Sequence, residues 1–317
     1  MSTNDPRISV VIPNYNHAHY LPRCLNAMLN QPVLPFEIIV VDDASTDNSL
    51  EVLRSFAERH PIIRVHPNER NMGTNLSVNR GLELARGDYV GFPAADDEVK
   101  PGVFEHFVRM LRAHPEAGGC SGLCEWRCTR TGLTWHVGTD MPRRACYLSP
   151  RELVALAKRG RLGIAGQNAV FKKSALLEAG GYIPELKWFA DAFCDLTVSF
   201  RHGICHVPEV LSVFYLHPTS YYQSASSQAE RRETMERMLQ LLESDRFADV
   251  APLIGESGLL GGYGWQMAKL VAGRPMHRRF LNSSFLRRAT RRCAEVVGRR
   301  FFPNWLARRC LQLFYGR

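Results

Sequence analysis

Short apolar runs alternate with amphipathic stretches along the first hundred residues. Strands are predicted over residues 7–12, 36–41, 62–66 and 89–92, because each run is apolar and bounded by turn residues. Helices are predicted between them, over residues 19–30, from residue 47 to about 60, and over residues 76–85, the last closing at Gly87. This alternation predicts an α/β fold with a doubly wound, mostly parallel sheet.

Polar residues follow three of these strands directly. They are Asn14 and Tyr15, Asp42 and Asp43, and Asp96 and Asp97. The carboxyl ends of strands in an open α/β sheet line the crevice where ligands bind. Two adjacent carboxylates repel each other unless a cation lies between them, and a divalent metal carrying phosphate oxygens would satisfy both. The pattern therefore predicts a nucleotide site at this edge of the sheet.

Two other nucleotide-binding architectures fit the chain poorly. A dehydrogenase-type domain needs Gly-x-Gly-x-x-Gly directly after its first strand, and residues 13–21 contain no glycine. The glycine cluster at 258–264 comes late and follows no clear strand. A nucleotidyltransferase is expected to carry a glycine-rich, basic phosphate loop after the first strand, and residues 13–20 offer none.

Five short motifs carry a resemblance to a known family. They are Val-Val-Ile-Pro-Asn-Tyr-Asn from residue 10, Ile-Val-Val-Asp-Asp-Ala-Ser-Thr-Asp from residue 39, Asn-x-Gly from residue 71, Ala-Arg-Gly-Asp-Tyr from residue 85 and Ala-Asp-Asp from residue 95. In order and spacing they resemble the inverting family 2 glycosyltransferases, which have the GT-A fold. The resemblance covers residues 8–101 tightly and continues more loosely to about residue 220. It implies transfer of a sugar from a nucleoside diphosphate donor, with a UDP-sugar expected, to a hydroxyl of a glycan or glycolipid acceptor.

The resemblance also implies a set of donor-site residues. Pro13, Tyr15 and Asp43 would contact the base and ribose, and Asn71 and Asn79 would line the nucleotide pocket.

The metal site departs from the family pattern. The family's Asp-x-Asp is replaced here by Ala94-Ala95-Asp96, so that Asp96 or Asp97 would hold Mn²⁺ or Mg²⁺ on the diphosphate, and which of them does so stays open. Asp96 also counts among the nucleotide-binding residues. His217 lies where family members often have a histidine that reaches the metal or diphosphate, and a packing role is equally open.

The acceptor half is expected to supply the catalytic base. Residues 180–191 resemble the family segment that ends in Glu-Asp, with Ala190 in place of the Glu and Asp191 retained. Inverting transfer requires a carboxylate that takes the proton of the attacking hydroxyl. Asp195, four residues on, is either a second candidate base or an ordinary helix position. Residues 166–168 either line the acceptor pocket or form a simple loop.

The chain is expected to divide into three parts. Residues 1–115 form the nucleotide-sugar half, residues 116–222 the acceptor half, and residues 223–317 a helical, basic C-terminal extension. Between residues 274 and 317 there are twelve arginines and one acid, whereas the first 273 residues carry 28 basic and 30 acidic residues. Because the main body is not basic, nucleic acid is not expected as a partner.

A helix predicted over residues 285–300 has an apolar sector of roughly 120° with arginines outside it. The sector contains Phe285, Leu286, Ala289, Cys293, Val296 and Val297. One interpretation places this helix on an anionic membrane surface, which would suit a lipid-linked acceptor. The other docks it on the catalytic domain with its arginines in solvent.

The cysteines and the N-terminal stretch bear on location. Nine scattered cysteines suit reduced thiols, and residues 1–6 lack a signal-peptide pattern. A cytoplasmic protein is therefore expected. If the membrane interpretation holds, it would be peripheral on the inner face of the membrane. Cys120, Cys124 and Cys128 would form a metal or cluster site or, as the spacing favours, ordinary buried thiols.

A different class of function also stays open. The alanines at 94 and 190 would suit a degenerate, non-catalytic member that binds a nucleotide sugar or glycan as a partner subunit. The retained acids Asp43, Asp96, Asp97 and Asp191 favour the enzyme.

Overall fold

The computed structural model describes residues 5–217 and 227–301, giving only the backbone of residue 167 and of residues 295–301. The chain separates into two compact units. Unit 1 comprises Met1–Leu153 and Leu162–Ser226, and unit 2 comprises Val154–Arg161 and Ser227–Arg317.

Unit 1 is built on a ten-stranded sheet. In chain order its strands are β1 (Ile8–Asn14), β2 (Glu37–Asp42), β3 (Ile63–Pro67), β4 (Tyr89–Gly91), β5 (Glu98–Val99), β6 (Gly119–Cys128), β7 (Thr134–Val137), β8 (Cys146–Leu148), β9 (Ala169–Lys172) and β10 (Ile204–Leu216). Across the sheet the order is β3-β2-β1-β4-β9-β6-β10-β5, with β7 beside β6 and β8 beside β10.

Most strands of this sheet run in one direction. The strands β1 to β4 are mutually parallel, and β6 and β10 share their direction because each step across β9 reverses it. The strands β5, β7, β8 and β9 run the other way. The strands β1 to β4 therefore form a purely parallel part of the sheet, and the rest of the sheet is mixed.

Within residues 5–217, seven α-helices accompany the sheet. They are α1 (Leu21–Leu29), α2 (Ser49–Arg59), α3 (Thr74–Leu84), α4 (Val103–Ala113), α5 (Pro150–Lys158), which continues into unit 2, α6 (Lys173–Ala179) and α7 (Ala190–His202). The three helices predicted from the first hundred residues are confirmed with ends shifted by one or two residues. Gly87 does not close α3, because the helix ends at Leu84 and Ala85 is extended. Gly87 instead packs against β1, where a Cβ would lie 2.6 Å from Oγ of Ser9.

The core of unit 1 lies between α1, α4 and the parallel strands. Leu21, Leu25 and Met28 of α1 are fully buried against the strand residues Ile12 and Ile38. On α3, Gly81 allows close approach to β1, since a Cβ there would lie 2.2 Å from Cγ1 of Val11. This packing brings the beginning of α3 to the carboxyl edge of the sheet.

Unit 2 is helical. Its own helices are α8 (Gln228–Glu243), α9 (Ala251–Ser257), α10 (Gly264–Gly273) and α11 (Ser283–Phe301). Phe285 and Ala289 of α11 are buried, whereas Leu286, expected on the same apolar sector, is 53% exposed. Over residues 283–294 the packed face of α11 is therefore narrower than its periodicity predicts, and the side chains of Val296 and Val297 lie outside the described residues. Among the described residues, no helix combines the length and apolarity that crossing a bilayer requires.

Candidate active site

A hydrogen-bonded brace joins the carboxyl ends of β1 and β2. Asp42 is fully buried and accepts hydrogen bonds from Nδ2 of Asn14 (2.7 Å) and from Oγ and the backbone N–H of Ser45 (2.6 and 3.0 Å). The first acid of the pair at this strand end is therefore structural. Tyr15 lies just beyond the brace with its side chain exposed, and Pro13 is half-buried.

Asp43, the second acid, holds the turn that leads into α3. Its carboxylate accepts hydrogen bonds from Nδ2 of Asn68 (2.6 Å) and from the backbone N–H groups of Met72 (2.9 Å) and Gly73 (2.8 Å). Burial acts to raise the pKa of Asp43, but these hydrogen bonds outweigh it and keep the pKa below its ordinary value. Asp43 is thus a fixed anion, and the exposed Asn71 lies beside the turn that it holds.

Two asparagines of α3 hold the segment that leads to the predicted base. The side chain of Asn79 accepts from the backbone N–H of Tyr182 and donates to the carbonyl of the same residue, both at 2.8 Å. Asn75 donates to the carbonyl of Lys187 at 2.9 Å, where the lysine has φ 49° and ψ −119°, which is uncommon for a residue with a side chain. The structure therefore uses the Asn79 amide to link α3 to the segment before α7.

The acidic pair after β4 has one half-buried and one buried member. Asp97 is only 4% exposed, and its Oδ1 accepts a hydrogen bond from the backbone N–H of Tyr215 at 3.2 Å. Within the described part of the chain, no donor reaches its Oδ2. Burial, followed by the charge of Asp96, raises the pKa of Asp97 well above its ordinary value. A buried carboxyl group with an unused oxygen is suited to receive a cation.

Arg23 lies against this pair and was not singled out by the sequence. Its Nη2 donates to the backbone carbonyl of Asp96, and its guanidinium carbon lies 3.9 Å from the ring centroid of Tyr215. Tyr215 in turn donates through its hydroxyl to Oε2 of Glu98 at 2.9 Å. Strand alternation places Tyr215 on the same face as residue 217, and this pattern could have identified Tyr215 from the sequence. No local sequence pattern identifies Arg23.

His217 lies in the same neighbourhood. Oη of Tyr20 is 3.4 Å from Nδ1 of His217, and the two rings are 4.9 Å apart. Burial lowers the pKa of His217, while the nearby charge of Asp96 opposes that shift. The structure thus brings Asp96, Asp97 and His217 together, and their role as metal ligands stays a prediction.

The acids of α7 have contrasting surroundings. Asp191, in the first turn, is in contact with solvent, and desolvation by the surrounding protein raises its pKa. Asp195 is 5% exposed, and Gly166 closes over it, since a Cβ there would lie 2.4 Å from Oδ2 of Asp195. Burial, then the charge of Asp191, raises the pKa of Asp195 well above its ordinary value. Asp191 is therefore the more accessible of the two to an acceptor.

The loop over residues 166–168 forms a short 3₁₀ turn, Gly166–Asn168. Nδ2 of the buried Asn168 donates to the carbonyl of Leu123 at 2.7 Å, which ties the turn to β6. The turn is therefore held by β6 in a position where Gly166 packs against the carboxylate of Asp195.

No group of three or more His, Cys, Asp or Glu side chains within residues 5–217 and 227–301 is arranged to hold a metal ion by itself. Cys120 and Cys124 are fully buried on β6. A divalent ion at the acidic pair would therefore need further oxygens from the diphosphate, which is how Mg²⁺ is commonly held by one or two carboxylates.

Comparison with known proteins decides the family. The model for glycosyl transferase family 2 matches residues 9–179. The chain belongs to glycosyl transferase family 2. This family 2 glycosyltransferase is 30% identical over 228 residues to the glycosyltransferase YibD of Escherichia coli (strain K12), covering 69% of this chain and 63% of that protein. It is 35% identical over 100 residues to a chondroitin synthase of Escherichia coli, covering 32% of this chain and 14% of the synthase. The match thus spans less than two thirds of either relative.

Solved structures show the same fold. The family 2 chain superposes on S. aureus TarS 1–349 in complex with UDP-GlcNAc with a TM-score of 0.62, at 16% identity and covering 92% of both chains. The predicted GT-A-type α/β fold is therefore confirmed. The prediction of a family 2 glycosyltransferase is confirmed by the family model.

Proposed function

We propose that this glycosyltransferase moves a sugar from a UDP-sugar to a hydroxyl of a growing glycan or glycolipid, with inversion at the anomeric carbon. The observation that carries the proposal is the separation of its acids into two environments. Asp97 is buried beside the half-buried Asp96 at a strand end, and Asp191 lies in the first turn of α7 in contact with solvent. One environment suits a diphosphate with its cation, and the other suits a general base.

Asp191 takes the proton from the acceptor hydroxyl as that oxygen attacks the anomeric carbon. Its raised pKa makes it a stronger base than an aspartate with an ordinary pKa while it retains contact with solvent. The sugar–phosphate bond breaks as the new glycosidic bond forms, and the electron pair leaves on the diphosphate. A UDP donor is supported by the solved structures of TarS with UDP-GlcNAc and with UDP, which share this fold.

The acidic pair would take Mn²⁺ or Mg²⁺ that arrives with the diphosphate. Asp96 and Asp97, with His217 beside them, would hold the ion, and Oδ2 of Asp97 is the atom for which the described residues supply no partner. When bound, the ion would neutralise charge on the leaving diphosphate. Arg23 keeps the backbone of Asp96 in place.

The donor pocket lies at the carboxyl ends of β1 and β2. Pro13 and Tyr15 contact the base and ribose, with Asn71 at the rim. Asp43 acts here by holding the turn at 72–73, and Asn79 by holding Tyr182.

The acceptor is a glycan or a lipid-linked glycan. The basic residues between 274 and 317 favour contact with an anionic membrane surface, which would place the enzyme on the cytoplasmic face of the membrane.

A second candidate function is a non-catalytic partner subunit that binds a nucleotide sugar. The alanines at 94 and 190, where the family has acids, favour it. Nucleotide binding without any turnover, unchanged in Asp191→Asn, would support this alternative.

The test is calorimetric titration of UDP, GDP and dTDP, with and without Mn²⁺. We expect UDP to bind, Mn²⁺ to strengthen its binding, and the double variant Asp96→Ala/Asp97→Ala to lose the metal effect. Asp88→Ala is the matched control, because Asp88 precedes the same strand at its opposite end and pairs with Arg7. Absence of binding by all three nucleotides would refute the donor assignment.

A further inference from the structure

Three aromatic rings lie in a row across neighbouring strands of unit 1. Trp135 on β7 pairs directly with Trp126 on β6, and Trp126 pairs with Phe214 on β10. The ring centroids are 5.7 Å apart in the first pair and 4.6 Å apart in the second. Because directly paired residues project from the same face of a sheet, the three form one surface, called here the aromatic row.

The aromatic row has a buried end and an exposed end. Phe214 is buried, Trp126 is half-buried, and Trp135 is 41% exposed. The pair of Trp126 and Trp135 stabilises the antiparallel strands β6 and β7 by only about 0.2–1 kcal/mol. That gain does not require a large aromatic ring to be exposed to solvent. The exposed indole face of Trp135 is therefore available to a ligand.

The buried end of the row lies between the two groups of acids. Phe214 packs in one cluster with Cys124 and Ala165. Ala165 immediately precedes Gly166, whose Cα borders the carboxylate of Asp195. On the other side, Phe214 is followed along β10 by Tyr215, whose backbone N–H donates to Oδ1 of Asp97 at 3.2 Å. The row thus begins between the proposed diphosphate site and α7 and continues to the surface.

We propose that the aromatic row is an acceptor subsite, on which a pyranose ring of the acceptor glycan stacks its C–H face against Trp135 and Trp126. The proposal rests on the proposed function, because a glycan whose terminal hydroxyl reaches Asp191 must extend away from that residue over a neighbouring surface. A sugar ring presents a flat face of C–H groups that packs on an aromatic ring, and such apolar packing with few polar contacts is typical of ligand sites. The row supplies that surface in continuity with the proposed catalytic acids.

The test measures glycan affinity in variants of the exposed ring. Trp135→Ala removes the outer ring, and Trp135→Phe keeps an aromatic ring in the cross-strand pair. Leu133→Ala is the matched control, because Leu133 lies just before β7 and is also 41% exposed. The probes are three soluble tetrasaccharides, chitotetraose, cellotetraose and maltotetraose, titrated by calorimetry in the presence of saturating UDP.

We expect at least one tetrasaccharide to bind, Trp135→Ala to weaken it about tenfold, Trp135→Phe to recover part of the loss, and Leu133→Ala to bind as the wild type. UDP affinity measured on the same samples should be equal in all four proteins. Binding of no tetrasaccharide to a wild type that binds UDP, or wild-type glycan affinity in Trp135→Ala, would overturn the subsite and leave the proposed function standing. Failure of the wild type to bind any nucleotide would instead count against the proposed function.

Discussion

Three aspartates of unit 1 show how burial and donors give one residue type different chemistry. Asp43 is buried but accepts three hydrogen bonds, so that its pKa is lowered. Asp97 is buried with one oxygen unused, whereas Asp191 keeps contact with solvent, and desolvation raises the pKa of each. The sequence identifies all three as acids near strand or helix ends, but their protonation depends on neighbours that only the fold supplies.

The substitution Asp191→Asn tests whether Asp191 is the catalytic base. We expect Asp191→Asn to lower turnover by about 10²–10⁴-fold with little change in UDP affinity, because the variant cannot accept the proton. Since the pKa of Asp191 is raised, activity of the wild type should climb with pH through that pKa and level off above it. The measurement is a pH profile of kcat/KM, in which Asp191→Asn should lose this rise.

Asp195→Asn is the control for that profile. Asp195 is enclosed behind Gly166, so the variant should keep most of the turnover and the pH-dependent rise. If Asp195→Asn abolished turnover and Asp191→Asn did not, the assignment of the base would be wrong.

Arg23 offers a second prediction at a single residue. Arg23→Met should weaken UDP binding in the presence of Mn²⁺ about tenfold, because the backbone carbonyl of Asp96 loses its donor and Tyr215 loses the stacked guanidinium. Arg23→Lys should recover little, since an ammonium group cannot reproduce the planar fork. Calorimetry with the exposed Arg54→Met as control measures both effects. Full affinity in Arg23→Met would show that the arginine does not position the acidic pair.

At the scale of elements, local pattern predicts the parallel half of the sheet well. The strands β1 to β4 and the helices between them follow from apolar runs and turn residues. Pairing follows chain order from β1 to β3, whereas β4 pairs with β1. The order β9-β6-β10 does not follow, since β9 runs antiparallel between two strands distant in sequence. Arg23 and Tyr215 meet only through that arrangement of α1 and β10, and therefore sequence reasoning missed them.

The helix α11 carries a prediction about packing. Phe285→Ala should lower the free energy of unfolding by about 3–5 kcal/mol, because the ring is fully buried. The adjacent Leu286→Ala should change it by less than about 0.5 kcal/mol, since that side chain is largely exposed. Chemical denaturation followed by circular dichroism compares the two variants. Equal losses would mean that α11 packs through a wider face.

At the scale of the whole molecule, positive charge is concentrated between residues 274 and 317. Part of this segment lies outside the described residues. Because Phe285 and Ala289 are already buried, we expect membrane association to rest on arginines, as in electrostatic binding. The protein should bind phosphatidylglycerol vesicles at low salt and be released by about 0.5 M NaCl. Phosphatidylcholine vesicles are the control in a sedimentation assay. Binding that persisted in high salt, or that occurred on neutral vesicles, would indicate insertion of apolar side chains instead.

Unit 2 is assembled from two separated stretches of chain, Val154–Arg161 and Ser227–Arg317. Lys158 pairs with Glu256, and Arg288 donates to the carbonyl of Ala157, so the short stretch belongs structurally to the long one. Recombination among family members therefore cannot exchange this unit at a single breakpoint near residue 227. The buried Val154 and Ala157 would come from one parent, and the rest of unit 2, with which they belong, would come from the other. Replacing residues 227–317 with those of another family member, in evolution or in engineering, therefore requires matching substitutions near residue 157. That position lies within the region that the family model covers.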